Sequence, residues 1–145
     1  MQSAVSDTLV LSNLKGFKMS KKLLIVDDEP HIRLLLEQTL EELEDYDVEL
    51  LTATNGLEAL ETIQREKPNL VFLDVMMPKM NGYDVCQKVK GELGLSDVYI
   101  IMLTAKGQEF DRSRGKDVGA DIYMTKPFDP DEILEKSFEI LGIEA

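Results

Sequence analysis

Cysteine is nearly missing from this chain of 145 residues: Cys86 is the only one. A lone thiol builds no disulfide framework and no cysteine-based zinc site, and a reducing cytoplasm is the compartment that fits. Histidine is as scarce, with His31 alone, so imidazole clusters for a transition metal are excluded. No stretch approaches the roughly 20 apolar residues of a membrane span, which argues against membrane insertion. The glycine-rich P-loop pattern is absent too, so a nucleoside triphosphate is not the obvious ligand. Positive charge is the last shortage. Against 28 Asp and Glu stand only 16 Lys and Arg, a formal charge of −12. Such a surface repels phosphate backbones and argues against direct nucleic-acid binding. It favours cations and basic partner surfaces.

Residues 1–20 are set aside from the fold. They carry Asp7, Lys15 and Lys18 around a short apolar patch, Leu9 to Leu11. No basic segment precedes the patch and no long apolar segment extends it, so a secretory signal is not indicated. Met19-Ser20-Lys21-Lys22 reads as a second start. This stretch is expected to be a frayed arm, which leaves 21–145 as one domain.

From Lys22 onward, apolar runs alternate with amphipathic stretches. Leu23 to Val26 is a short apolar run that ends in Asp27-Asp28-Glu29. Pro30 then opens a helix, at a position where its missing N–H costs nothing. Ile32, Leu35, Leu36, Leu40 and Leu43 recur at helical spacing on that helix. Val48 to Ala53 reads as the second strand. Asn55 caps the next helix with Glu58 as its capping-box partner, and Leu57, Leu60 and Ile63 are its expected buried face. Leu70 to Leu73 is the third strand, and Val85, Cys86, Val89 and Leu93 mark the third helix. Val98 to Leu103 is the fourth strand. A helix over 107–118 follows, with only Phe110 and Val118 to bury, and Gly119 ends it. Ile122 to Met124 is the fifth strand. Asp129-Pro130-Asp131-Glu132 starts the last helix, whose apolar face is Ile133, Leu134, Phe138 and Leu141. Five β–α units of this kind predict an α/β doubly wound sheet, five parallel strands with helices on both faces, in the order 2-1-3-4-5.

In such a sheet ligands bind beyond the carboxyl ends of the strands. Asp27 and Asp28 follow the first strand, Asp74 the third, Thr104 and Ala105 the fourth, Lys126 and Pro127 the fifth. Three converging carboxylates repel one another unless a cation joins them or some take up protons. Oxygen-only donors suit Mg²⁺. A cation, a lysine and a hydroxyl together hold phosphoryl oxygens, and an aspartate can itself attack phosphorus. Asp74, alone at the end of the central strand, is the candidate nucleophile.

Four segments, L-L-I-V-D-D-E-P, L-V-F-L-D-V-M-M-P-K-M-N-G, I-M-L-T-A and Y-M-T-K-P-F, closely resemble the receiver domain of two-component response regulators. The likeness covers about residues 21–142. It implies a flavodoxin-like (βα)5 fold of the chemotaxis-receiver type. It implies Asp74 as the residue phosphorylated by a histidine kinase or a histidine phosphotransfer protein. Asp28, Asp74 and the backbone carbonyl of Met76 would bind Mg²⁺ directly, and Asp27 through water. Lys126 would hold the phosphoryl group, with a cis bond to Pro127. Thr104, beside Ala105, would move toward the phosphoryl group, and Tyr123 would follow it inward. The resemblance implies a phosphoacceptor without a separate substrate, not an enzyme, that signals to a downstream effector protein through its fourth helix, fifth strand and fifth helix. Few residues follow the last helix, so a stand-alone receiver is expected.

Other readings stay open on residues alone. An aspartate-dependent phosphohydrolase would need a second acid two residues after Asp74, where Met76 stands. A flavodoxin-type flavin carrier would need a phosphate loop where Asp27 and Asp28 stand. A receiver-like scaffold that is never phosphorylated is the third. The segment 104–128 also resembles receivers of winged-helix transcription factors, which dimerise. Arg112 and Glu132 match one ion pair of that interface, but Ile122 replaces an Asp, and Ser113 and Lys116 replace apolar residues. The expectation is therefore a monomer in the unphosphorylated state.

Overall fold

The apolar runs become five parallel strands: β1 (Lys21–Val26), β2 (Val48–Ala53), β3 (Leu70–Asp74), β4 (Tyr99–Ala105) and β5 (Ile122–Lys126). The computed structural model describes residues 20–105 and 112–144. The arm, but for Ser20, and the first part of the helix expected at 107–118 lie outside them. The strands stand in the order β2-β1-β3-β4-β5, all parallel. Between them run α1 (Pro30–Leu40), α2 (Gly56–Glu66), α3 (Gly82–Cys86), α4 (Arg112–Asp117) and α5 (Pro130–Leu141). No helix of the described residues is long and apolar enough to cross a membrane.

Strand alternation feeds two core layers. Leu24, Val26, Val71 and Leu73 turn to one face and pack with Ala59, Ile63, Val85 and Val89 of the α2 and α3 side. Leu23, Ile25, Leu70 and Phe72 turn to the other and pack with Leu36, Leu40, Ile133 and Leu141 of α1 and α5. Each such side chain, once fully buried, contributes roughly 1.5–3 kcal/mol. Because β3 is buried on both faces, it reads as a continuous apolar run instead of an alternating one.

The helix starts follow local chemistry. The Asn55 side chain accepts the Glu58 N–H at 2.9 Å, and Glu58 reaches back to the Thr54 N–H at 3.0 Å. Asp129 accepts the Asp131 N–H at 3.0 Å ahead of Pro130. Gly142, in the left-handed region at φ 67°, ends α5.

Several boundaries and faces differ from expectation. β4 runs on through Thr104 and Ala105, and β5 through Lys126, because lateral pairing continues there: Thr104 lies opposite Thr125 and Ala105 opposite Lys126. These residues are strand ends and not loop residues. α1 stops at Leu40, and Leu43 is buried from a short 3₁₀ turn, Glu41–Tyr46. Leu35 and Leu57, expected in the core, are exposed. Ala59 and Thr62 occupy the buried face of α2 instead, since small residues let the helix approach the sheet. Leu93 is exposed too. After Cys86 the helix widens into a π-helical segment, Gln87–Glu92, which inserts extra residues into the turn and rotates Leu93 off the core face.

Candidate functional site

The carboxyl edge of the sheet gathers the charged residues that the strands deliver. Asp27, just past β1, is 0% exposed; Asp74, closing β3, is 4% exposed; Lys126, closing β5, is 9% exposed. The Lys126 ammonium donates to Asp27 Oδ2 at 2.7 Å and lies 3.4 Å from Asp74 Oδ1. Two buried carboxylates thus share one cation. The other oxygen of Asp27 accepts the Glu29 N–H at 2.9 Å, and its backbone carbonyl accepts the Arg33 guanidinium at 2.7 Å. Asp27 is held from three sides.

Asp74 is less well compensated. Burial pushes its carboxyl up from 3.8 to about 7; the charge of Asp27 adds to the rise, Lys126 opposes it, and a hydrogen bond with Asp28 favours the protonated form. Lys126 is subject to the same burial, which acts to lower it, but the hydrogen bond to Asp27 and the charges of Asp74 and Asp27 outweigh that and hold it above the ordinary lysine value. Removing Lys126 would leave both carboxylates buried without their cation, a costly arrangement.

The carboxylates of Asp27, Asp28 and Glu29 present oxygens within 4.8 Å of one another. Asp74 was expected beside Asp27 and Asp28. The structure has Asp74 in a hydrogen bond with Asp28 and on the same ammonium as Asp27, and Glu29 adds a further carboxylate next to Asp27 and Asp28. The set is all oxygen, with no imidazole or thiolate in it, and the negative charge exceeds what one ammonium neutralises. A hard divalent cation such as Mg²⁺ fits that chemistry.

Thr104 is buried near the end of β4. Tyr123 lies opposite Met102 on β5 and packs, partly buried, against the core layer beside α3. The Lys126–Pro127 bond is cis. The Met76 side chain is exposed, whereas Met77 is buried. His31 is exposed at the start of α1, 3.6 Å from Glu29. The side chain of Arg112 lies outside the described residues.

Two glycines to which the sequence pattern alone gave no role shape the site. A Cβ on Gly82 would sit 2.6 Å from the Asp74 carbonyl oxygen and 2.9 Å from Val75 Cα, and the Gly82 N–H donates to the Val75 carbonyl at 2.8 Å. A Cβ on Gly56 would overlap the Met80 carbonyl oxygen. The loop after Asp74 is therefore wedged between two helix starts with no spare room. The signal was present: Asn55-Gly56 and Asn81-Gly82 are the same dipeptide, and each Asn caps its helix while the glycine next to it admits the loop.

Comparison with known proteins agrees with this architecture. The sequence profile of the response regulator receiver domain matches residues 23–137. Over 113 residues the chain is 52% identical to a Cyanophora paradoxa protein named "Probable transcriptional regulator ycf27", covering 78% of this chain and 45% of that one. It is 49% identical over 115 residues to the alkaline phosphatase synthesis transcriptional regulatory protein PhoP of Bacillus subtilis, covering 79% and 46%. The chain spans a little under half the length of these curated relatives. Among solved structures, chemotaxis response regulator CheY4 of Vibrio cholerae superposes with a TM-score of 0.71 at 32% identity, over 83% of this chain and 98% of that one. With a profile match across most of its length and relatives this similar, the chain belongs to the response regulator receiver domains of two-component regulatory systems.

Proposed function

We propose that the chain accepts a phosphoryl group on Asp74 from a histidine kinase or a histidine phosphotransfer protein and thereby switches a surface read by an effector protein. The observation that carries this reading is the arrangement at the sheet edge: a buried, poorly compensated carboxylate at the end of β3, 3.4 Å from a lysine that has a second carboxylate as its closer partner. An oxygen of Asp74 attacks the phosphorus of a phosphohistidine. The P–O bond forms as the P–N bond breaks, and the imidazole nitrogen keeps the electron pair and takes a proton. Asp27, Asp28, Asp74 and the backbone carbonyl of Met76 would hold Mg²⁺, whose charge neutralises the carboxylates and polarises the phosphoryl oxygens.

Lys126 then serves as partner to the new anion, which carries about −1.5 to −2 charge and three acceptor oxygens. The Thr104 hydroxyl donates to one of them from the end of β4, next to the backbone of Ala105. Tyr123 moves into the space that Thr104 leaves. The surface of α4, β5 and α5 changes with it, and a downstream protein reads the change. On this reading the chain is a signalling phosphoprotein of the cytoplasm, a monomer before phosphorylation, and works on no separate substrate.

The test is intact mass after incubation with acetyl phosphate and Mg²⁺. One added phosphoryl group is expected on the wild type, lost with EDTA and in Asp74→Asn. An unmodified wild type, or an adduct that survives Asp74→Asn, overturns the assignment.

A further inference from the structure

α3 and its π-helical continuation meet the segment that leads into β5 at three rungs. Nearest the site, the Arg114 guanidinium lies over the Tyr83 ring, 4.4 Å from its centroid, and 3.7 Å from Asp84 Oδ1. In the middle, the Cys86 thiol donates to the Val118 carbonyl at 3.3 Å. Farthest from it, Lys90 Nζ lies 3.1 Å from Asp121 Oδ2, and that same oxygen accepts the Ile100 N–H at 2.8 Å. Gly119 admits the Lys90 stem there, since a Cβ would approach Lys90 Cβ to 3.0 Å.

The rungs differ in kind. The lower two end on backbone groups or on the sheet; Cys86 is buried, and the Lys90 and Asp121 side chains are 13% and 30% exposed. The upper one joins side chains that are half exposed, 49% for Arg114 and 48% for Asp84, and it grips the end of α3 that touches the site. Tyr83 follows Gly82, which is pressed against the Asp74 carbonyl and bonded to Val75. The Asn81 side chain fixes the Asp84 N–H at 2.9 Å. The backbone of Asp74 and Val75 is thus packed directly on the residue that precedes Tyr83 and Asp84.

We infer that Arg114 is a positioning residue: from α4 it straps down, through Tyr83 and Asp84, the end of α3 that packs on Asp74, and so favours the unphosphorylated arrangement. The inference rests on the proposed phosphorylation of Asp74. A contact made in one of two arrangements shifts the balance toward that arrangement by its own strength. For a cation–π contact between a half-exposed Arg114 and the buried Tyr83 ring, backed by a half-exposed ion pair, that is a roughly two- to fivefold shift. The lower rungs act as the pivot and the upper rung as the part that yields.

The experiment compares the rate of phosphorylation by acetyl phosphate and Mg²⁺ in wild type, Arg114→Ala, Arg114→Lys, Tyr83→Leu and the Arg114→Ala/Tyr83→Leu pair. Amide exchange over 112–122 is followed in the unphosphorylated proteins. Arg114→Ala should be phosphorylated about two to five times faster, Arg114→Lys should stay near wild type, and the double variant should gain no more than the single. Exchange should quicken over 112–117 and stay unchanged over 118–122. If Tyr83→Leu does not fold, the Ala and Lys variants of Arg114 decide alone. Equal or slower phosphorylation of Arg114→Ala, or exchange that quickens through residue 122, overturns the strap. A wild type that takes no phosphoryl group refutes the reading of Asp74 instead, and the exchange pattern still decides the strap.

Discussion

Asp74→Asn should stabilise the protein in the absence of divalent cations, and by an amount that grows with pH. The folded chain holds the Asp74 carboxyl at about 7, against 3.8 when free. A carboxyl raised in this way binds its proton more tightly in the folded chain than in the unfolded one. Stability is therefore undiminished below about pH 4, falls as pH rises toward 7, and is lowered by a constant amount above that. At about 1.4 kcal/mol per pH unit, the full difference is roughly 4 kcal/mol, an upper bound that relaxation reduces. At pH 5.5 about 2 kcal/mol of it is already present, so moving from pH 5.5 to 8 adds about 2 kcal/mol more. Asparagine keeps the shape and removes the titration. Lys126, raised above the ordinary lysine value, titrates above this window. The assay is urea unfolding of wild type and Asp74→Asn in EDTA at pH 5.5 and pH 8. The advantage of the variant should widen by about 2 kcal/mol between the two. An advantage that is the same at both, or that narrows as pH rises, refutes the account of Asp74 as a buried carboxylate short of positive charge.

Two further outcomes follow from packing and burial. Gly82→Ala forces a methyl group against the backbone of Asp74 and Val75, so it should cost about 1–3 kcal/mol in thermal or urea unfolding, while Gly91→Ala, whose nearest neighbours are atoms of the flexible Gln87 side chain, should be near neutral. Cys86 is buried and its thiol is pushed up to about 12 by burial; a thiol reagent at pH 8 should label it only as fast as the chain opens, and rapid stoichiometric labelling of the folded protein would contradict the packing.

The strand order and the edge that carries the site were legible because both depend on local signals. Leu70 to Leu73 is apolar on successive residues, which marks a strand covered on both faces. Asn55, Asp129 and Pro130 announce helix starts through their own side chains, and the structure bonds them as such. The exposure of Leu35 and Leu57 was not legible, since which arc of a helix faces the sheet depends on how closely the small residues Ala59 and Thr62 let it approach. Nor was the π-helical turn that carries Leu93 to the surface, because it has no residue signature of its own.

The site divides along the same line. That Asp27, Asp74 and Lys126 share one edge follows from the order of the strands. Which carboxylate the ammonium lies closer to does not, because Lys126 reaches Asp27 across 99 residues of sequence. Asp27 has no contact with water and binds the ammonium at 2.7 Å, with a backbone N–H on its other oxygen. The charge it withdraws from Asp74 leaves that carboxyl, at 3.4 Å, as the one that still gains from a new cation. Burial would be wasted on two equally satisfied aspartates. On the proposed reading, the inequality between them makes the end of β3, and not the end of β1, the place where a phosphoryl group and its counter-ion would improve the balance of charge.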